Sequence, residues 1–293
     1  MTNANIKTQS TVAMRERYTT GFVTSKDGTI IGHRQLGQGP GLVILHGGME
    51  SIQSHIQLAE ALADTYTVYL PDRRGRGLSG PHGKNYGIQR EVEDLDALLT
   101  QTSAHNVFGL SSAAIVLLHA ALTLPAIYKA VIFEPPLFNV TDDWLPRFNK
   151  EIAKGKVAAA LATGTKGTQM WGHAMPRWLL ELATTMIMAS EDKKAKGNDV
   201  TTRKLAPTLH YDAQLILESK EALESFRAIR TRVLLMGGSM SPDFLKAGLD
   251  ALERVLPDAQ RVEIPGAGHG ASGNTDRGGK PEVVAQELRR FFG

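Results

Sequence analysis

The 293-residue sequence contains no cysteine. That absence removes disulfides, cysteine-ligated zinc and thiolate nucleophiles together, so any covalent chemistry must use another side chain. Long apolar runs are also missing. No segment approaches the roughly 20 residues that span a bilayer as a helix, and residues 1–11 are polar, without the apolar stretch of a secretion signal. No membrane association is expected, and the cytoplasm is the expected location. Nor is charge of one sign concentrated: 33 basic and 30 acidic residues give a net charge of +3 without a basic stripe that could follow a phosphate backbone, so no nucleic-acid partner is expected. With 42% hydrophobic and 22% charged residues, the chain has the composition of a globular protein with a sizeable core rather than of a disordered, collagen-like or coiled-coil one.

What is present is an alternation of strand-like and helix-like patterns, the signature of a mostly parallel sheet covered by helices on both faces. Residues 18–23 and 30–34 flank Asp27-Gly28, a hairpin turn signal, so the chain opens with an antiparallel pair. Buried strands follow at 41–45, 68–70, 106–110 and 130–133, with amphipathic helices predicted around 52–62 and 92–99. Residues 113–122 are apolar nearly all round, as in a helix at the centre of a fold. From about 137 to 228 the strand pattern gives way to helical stretches rich in Ala, Leu, Met and Trp, which reads as an inserted helical lid. Strand patterns resume at 232–236 and 261–264, and Pro281 opens a closing helix. The expected organisation is a catalytic core of residues 1–136 and 229–293 with a lid of residues 137–228.

Three glycine-rich turns carry the chemistry. Gly109-Leu110-Ser111-Ser112-Ala113 lies where a short strand meets the buried helix, and small neighbours there let a serine sit on a sharp, strained turn at a helix N-terminus. His46-Gly47-Gly48 follows the first buried strand. Its glycines can aim backbone N–H groups at a substrate oxygen, so Gly48 and Ser112 are the candidate oxyanion donors. Pro265-Gly266-Ala267-Gly268-His269 follows the last strand and places an imidazole at the edge where open α/β sheets bind ligands. The spacing Gly75-x-Gly77-x-x-Gly80 matches a dinucleotide fingerprint, but no helix opens from it, and no nucleotide cofactor is expected.

These motifs, in this order, resemble the α/β-hydrolase superfamily in its capped, lipase- and esterase-like branch. The resemblance covers nearly the whole chain and includes the 72–79 loop Asp-Arg-Arg-Gly-Arg-Gly-Leu-Ser and Glu134-Pro135-Pro136 before the lid. It implies a Ser111 nucleophile, a His269 base and a carboxylate that orients the histidine. One departure bears on that carboxylate. Where most members carry Gly-x-x-Asp after the strand that ends at Met236, this sequence reads Gly237-Gly238-Ser239-Met240, leaving Met240 at the acid's place. Dehalogenase-like members carry the acid one strand earlier, where Glu134 stands here. Glu134 is the expected acid, and Asp243 is the rival, with a competing explanation as a charge in the first turn of the next helix.

The expected activity is hydrolysis of a carboxylic ester, lactone or thioester of a largely apolar small molecule, with no metal and no organic cofactor. The alternatives are a lyase cleaving C–C or C–O bonds on the same fold, and a binding protein without catalysis. Trp171, Trp178 and His210 are the lid's candidates for substrate contact, the other reading of its tryptophans being lid core.

Overall fold

In the computed structural model, which describes residues 18–138, 141–169, 172–195, 197 and 199–293, the strand patterns become eight strands of one sheet. They are β1 (Thr19–Thr24), β2 (Ile30–Leu36), β3 (Gly41–Leu45), β4 (Thr67–Pro71), β5 (Asn106–Leu110), β6 (Lys129–Phe133), β7 (Arg232–Gly238) and β8 (Ala259–Ile264), in the order β1-β2-β4-β3-β5-β6-β7-β8. The hairpin around Asp27-Gly28 pairs β1 with β2, and β2 runs antiparallel to β4; every later pairing is parallel.

The central strands β3, β5 and β6 are buried along almost their whole length, as strands covered on both faces must be. Side chains alternate between the faces. Val43 and Leu45 join one core with helices α2 (Ile88–Thr102), α3 (Ser112–Thr123) and α9 (Asp243–Val255), whereas Leu42 and Ile44 join another with α1 (Ile56–Leu62) and α10 (Pro281–Phe292). Helix α3 lies beneath the centre of the sheet, and its residues from Ser112 to Leu118 are all buried. Between β6 and β7 the described residues form only helices: α4 (Leu145–Ala153), α5 (Val157–Gly167), α6 (Arg177–Lys194), α7 (Thr202–Leu205), α8 (Leu209–Glu218) and short 3-10 turns. Trp144 packs edge-on against Phe148 as a small core of that segment. Among the described residues no helix is long and apolar enough to cross a membrane.

The loop after β4 binds this segment to the rest. Asp72, Arg73, Arg74 and Arg76 are all buried, so their charges need partners. Asp72 accepts from the N–H groups of Ile52 and Leu78 at 2.9 and 2.8 Å. Arg74 pairs with Asp94 of α2 and reaches Asp27 of the hairpin. Arg73 grips Glu91 with two bonds of 2.7 and 2.9 Å, and it also donates to Asp212 of α8 at 3.0 Å. Arg76 donates to the other oxygen of Asp212 at 2.6 Å. Burial alone would raise the Asp212 pKa, but Arg76 and Arg73 hold it well below the usual carboxylate range. His46 completes the arrangement: its Nε2 accepts the Arg73 N–H at 3.1 Å and its Nδ1 donates to the Gly47 carbonyl at 3.0 Å.

Two outcomes are expected. Removing one member of a buried ion pair strands the other, so Asp212→Ala should lower the unfolding free energy on the order of 3–5 kcal/mol in a denaturant titration. An unchanged midpoint would show that both arginines have found other partners. His46 is neutral when folded, because burial, with Arg76 and Arg73 adding repulsion, pushes its pKa from 6.5 down to about 3. As pH falls below 6.5 the unfolded chain takes up this proton first, so its share of stability is complete above that value and lost on the way down to about 3. His46→Gln should flatten the fall of Tm through that window; an identical slope would remove His46 as its cause.

Candidate active site

The parallel register of β3, β5, β6 and β7 brings the residues just past their carboxyl ends to one edge: Leu45 lies beside Gly109, Leu110 beside Phe133, and Phe133 beside Met236. The turn after β5 is the sharpest. Ser111 has φ 57° and ψ −123°, a conformation that costs a non-glycine residue energy and persists only where its surroundings enforce it. Here the Ser111 N–H still donates to the Phe133 carbonyl at 2.9 Å while the chain reverses into α3. The reversal forces β5 against α3: a Cβ on Gly109 would lie 2.9 Å from the Ala113 carbonyl oxygen. Ala113 itself fits fully buried, which explains why alanine serves where a glycine is common. As the first residue of α3, Ser112 presents one of the helix's opening N–H groups. Its hydroxyl is fixed by the loop network, accepting from Arg73 at 3.0 Å and donating to Asp212 at 3.0 Å.

The turn after β3 is held by His46. The Gly47 carbonyl and the Gly48 N–H belong to one planar trans peptide and point in opposite directions. The bond from His46 Nδ1 to the Gly47 oxygen therefore turns the Gly48 N–H the other way. Space is tight on both sides, since a Cβ on Gly47 would sit 3.2 Å from the Ser111 Cβ and one on Gly48 would sit 3.1 Å from Asp212 Oδ2.

Glu134, directly after β6, is fully buried with φ 46°. Its Oε1 accepts the Gly238 N–H at 2.7 Å, and its Oε2 is 2.7 Å from His269 Nδ1. A carboxylate at that distance accepts a hydrogen bond from Nδ1, so that in the neutral ring Nε2 is the acceptor. Room for this carboxylate comes from Gly237, where a Cβ would lie 2.7 Å from Glu134 Oε1, and Gly238 lets the last loop approach, since a Cβ there would lie 2.2 Å from the Ala267 carbonyl oxygen. Gly237 thus leaves the space that the Glu134 carboxylate occupies, while Met240, at the end of the departing stretch, is exposed.

Ser111, Ser112, Gly48 and His269 open on to a single cavity of about 450 Å³ between the sheet edge and the helical segment. Leu161, Leu209 and Ile216 supply apolar wall, Thr165, Thr168 and Thr184 supply hydroxyls, and Asp212 and Phe244 also face it. The other expected contacts differ. Trp178, in the first turn of α6, is 67% exposed and does not line the cavity, because that face of α6 turns to solvent. His210 does not line it either; its ring packs edge-on against Tyr211, which is not among the lining residues, whereas Asp212 and Ala213 are. Trp171 lies outside the described residues. Asp243 stands in the first turn of α9, as its explanation as a helix-end charge requires; Pro242 precedes the helix and no side chain caps it.

The Arg73, Arg76 and Asp212 cluster was not foreseen. Three arginines in four positions beside an apolar strand end were the available signal, but their partner lies 136 to 139 residues away. Phe244 carried no signal beyond its place next to Asp243.

Comparison with known proteins agrees with this architecture. The family model for the alpha/beta hydrolase fold matches residues 40–273. A pimeloyl-[acyl-carrier protein] methyl ester esterase of Xanthomonas oryzae pv. oryzae is 26% identical over 259 residues, spanning 87% of this chain and 96% of the relative. Its counterpart in Xanthomonas campestris pv. campestris is 27% identical over the same length. Among solved structures, an alpha/beta hydrolase from Sphaerobacter thermophilus superposes with a TM-score of 0.75 at 28% identity, covering 93% of this chain and all of that one. A match across most of the chain, together with the eight-stranded sheet and the serine turn at its edge, establishes that the protein belongs to the alpha/beta hydrolase fold family.

Proposed function

We propose that this family member is a serine esterase cleaving a carboxylic ester, lactone or thioester of a largely apolar small molecule. The observation that carries the reading is the 2.7 Å bond from Glu134 to His269 Nδ1, with His269 and the strained Ser111 facing one cavity. Ser111 Oγ attacks the carbonyl carbon while its proton passes to His269 Nε2. Glu134, accepting the Nδ1 proton, keeps the imidazole in the tautomer that makes Nε2 basic and stabilises the imidazolium that forms. The N–H groups of Gly48 and Ser112 receive the oxyanion, each contributing about 3 kcal/mol to the transition state. Collapse expels the alcohol or thiol with the proton from His269. Water then attacks the acyl-enzyme, giving its proton to His269, and the acid leaves as that proton returns to Ser111.

Residues 137–228 act in this reading as a lid that supplies the apolar walls around the acyl group. The names of the Xanthomonas relatives support an ester of an acyl chain as the substrate class.

Covalent labelling by a fluorophosphonate is the direct test. Wild-type protein should label at one serine, and Ser111→Ala should fold, fail to label and lose more than about 10³-fold in kcat toward a small activated ester. His269→Ala should match it. Glu134→Gln should be slower by on the order of 10³-fold while Asp243→Asn stays near wild type; the opposite ranking would move the acid to Asp243. Since Leu161 lines the cavity and Trp178 does not, Leu161→Ala should shift preference between short and long acyl esters and Trp178→Ala should leave it unchanged. A shift from Trp178→Ala alone would mean that the lid closes over substrate in another arrangement.

A further inference from the structure

The catalytic reading uses a turn after β3 and a loop after β8, two segments more than 200 residues apart that must keep a fixed separation. A second histidine lies between them. His55, which ends the 3-10 turn Ile52–His55, is fully buried, and each of its ring nitrogens faces an oxygen. Nδ1 is 2.9 Å from the carbonyl of Ser272, three residues beyond His269, and Nε2 is 3.2 Å from Glu50 Oε2, an acceptor when the carboxyl is ionised. The same Glu50 oxygen accepts the Gly47 N–H at 2.8 Å. A carbonyl cannot donate, nor can an ionised carboxylate, so with Glu50 ionised both nitrogens carry protons and the ring is an imidazolium.

We propose that Glu50 and His55 are positioning residues: a half-buried carboxylate paired with a buried imidazolium that holds the oxyanion turn and the His269 loop at their working separation. The proposal rests on the serine-esterase reading for its catalytic consequence. Its two arms reach the two halves of the site. Glu50 fixes the peptide before Gly47 by its N–H, while His46 fixes the peptide after it by the Gly47 carbonyl, so the Gly48 donor has no freedom to rotate. His55 fixes the backbone of Ser272. Asn274 continues the seam, donating from its side chain to the Gln53 carbonyl at 2.7 Å and accepting the Gln57 N–H at 3.1 Å. Glu50 is one-fifth exposed and also borders the catalytic cavity, yet Gly47 and His55 already occupy its Oε2.

The electrostatics agree with the geometry. Burial would lower the pKa of His55, but the adjacent Glu50 charge and hydrogen bond outweigh it and raise the pKa above 6.5, against a small opposing push from Arg277. Partial desolvation would raise the pKa of Glu50, but it is held down at about 2, chiefly by His55, with His46 and the Gly47 N–H adding to the effect. The sign follows. The imidazolium is present below the raised pKa and is lost as pH rises through it, so the pair weakens on the alkaline side.

Two measurements test this on the full chain. In nitrogen–proton correlation spectra of protein with isotope-labelled histidine, one buried imidazole should remain doubly protonated at neutral pH, where a free histidine is mostly neutral, and should become neutral in Glu50→Gln. Toward a small activated ester, Glu50→Gln should lower kcat by about 10²-fold with little change in KM, as misplacement of reacting groups does, and should move the alkaline limb of the profile to lower pH. A neutral His55 in the wild type overturns the proposal with no variant needed. Wild-type kcat and an unmoved alkaline limb in a folded Glu50→Gln overturn the positioning role. Failure of the wild type to react with the fluorophosphonate would instead sink the esterase reading, while the histidine spectra would still report on the pair.

Discussion

Buried charge must be neutralised, and in this protein that requirement falls on one loop. Asp72, Arg73, Arg74 and Arg76 follow directly from a buried strand and are themselves almost wholly inaccessible. Their partners come from four directions: the opening hairpin through Asp27, α2 through Glu91 and Asp94, the turn after β3 through Ile52 N–H and His46, and α8 through Asp212. A set of pairs this deep adds little net stability over an apolar core, because desolvation offsets the attraction, but it is strict about geometry. Each partner has to arrive in place or leave a charge unpaired. The loop therefore fixes how the helical segment sits over the sheet, and the hydroxyl of Ser112 is part of the same set.

The site is built from backbone as much as from side chains. Ser111 and Glu134 both have positive φ, at 57° and 46°, and both follow strands whose ladder continues to the residue itself: the Ser111 N–H bonds to Phe133 and the Glu134 N–H to Met236. The sheet thus enforces two strained residues side by side, and strain of this kind marks places where precise direction matters more than local stability. Glycines at 47, 48, 109, 237 and 238 serve close approach, since a Cβ at any of them would meet a neighbouring atom within 3.2 Å.

The carboxylate that meets His269 stands at the end of β6 rather than of β7, which sets its surroundings. At Glu134 the carboxylate is fully buried, with one oxygen on the Gly238 N–H and the other on His269. The longer glutamate side chain spans the distance from β6 to the last loop, and Gly237 clears its path. The cavity beyond is lined half by the helical segment and half by the sheet edge and the turns around it.

Local sequence by itself determined the parts whose causes are local. The hairpin at Asp27-Gly28, the two-sided burial of β3, β5 and β6, the helix opened by Pro281 and the sharp turn at Ser111 all follow from periodicity and from the steric needs of small residues, and each appears where those patterns place it. The meeting of His46-Gly47-Gly48, Ser111, Glu134 and His269 at one edge follows almost as directly, because parallel strands deliver their carboxyl ends to the same side. What sequence could not decide were the contacts between groups far apart along the chain. The pairing of Arg73 and Arg76 with Asp212, the capture of Ser272 by His55, and the outward turn of Trp178 are fixed only when the helical segment and the last loop pack against the core. The reason is physical: a buried charge or a tryptophan face satisfies itself with whichever neighbour the fold brings near, and a linear pattern records the need without naming the partner.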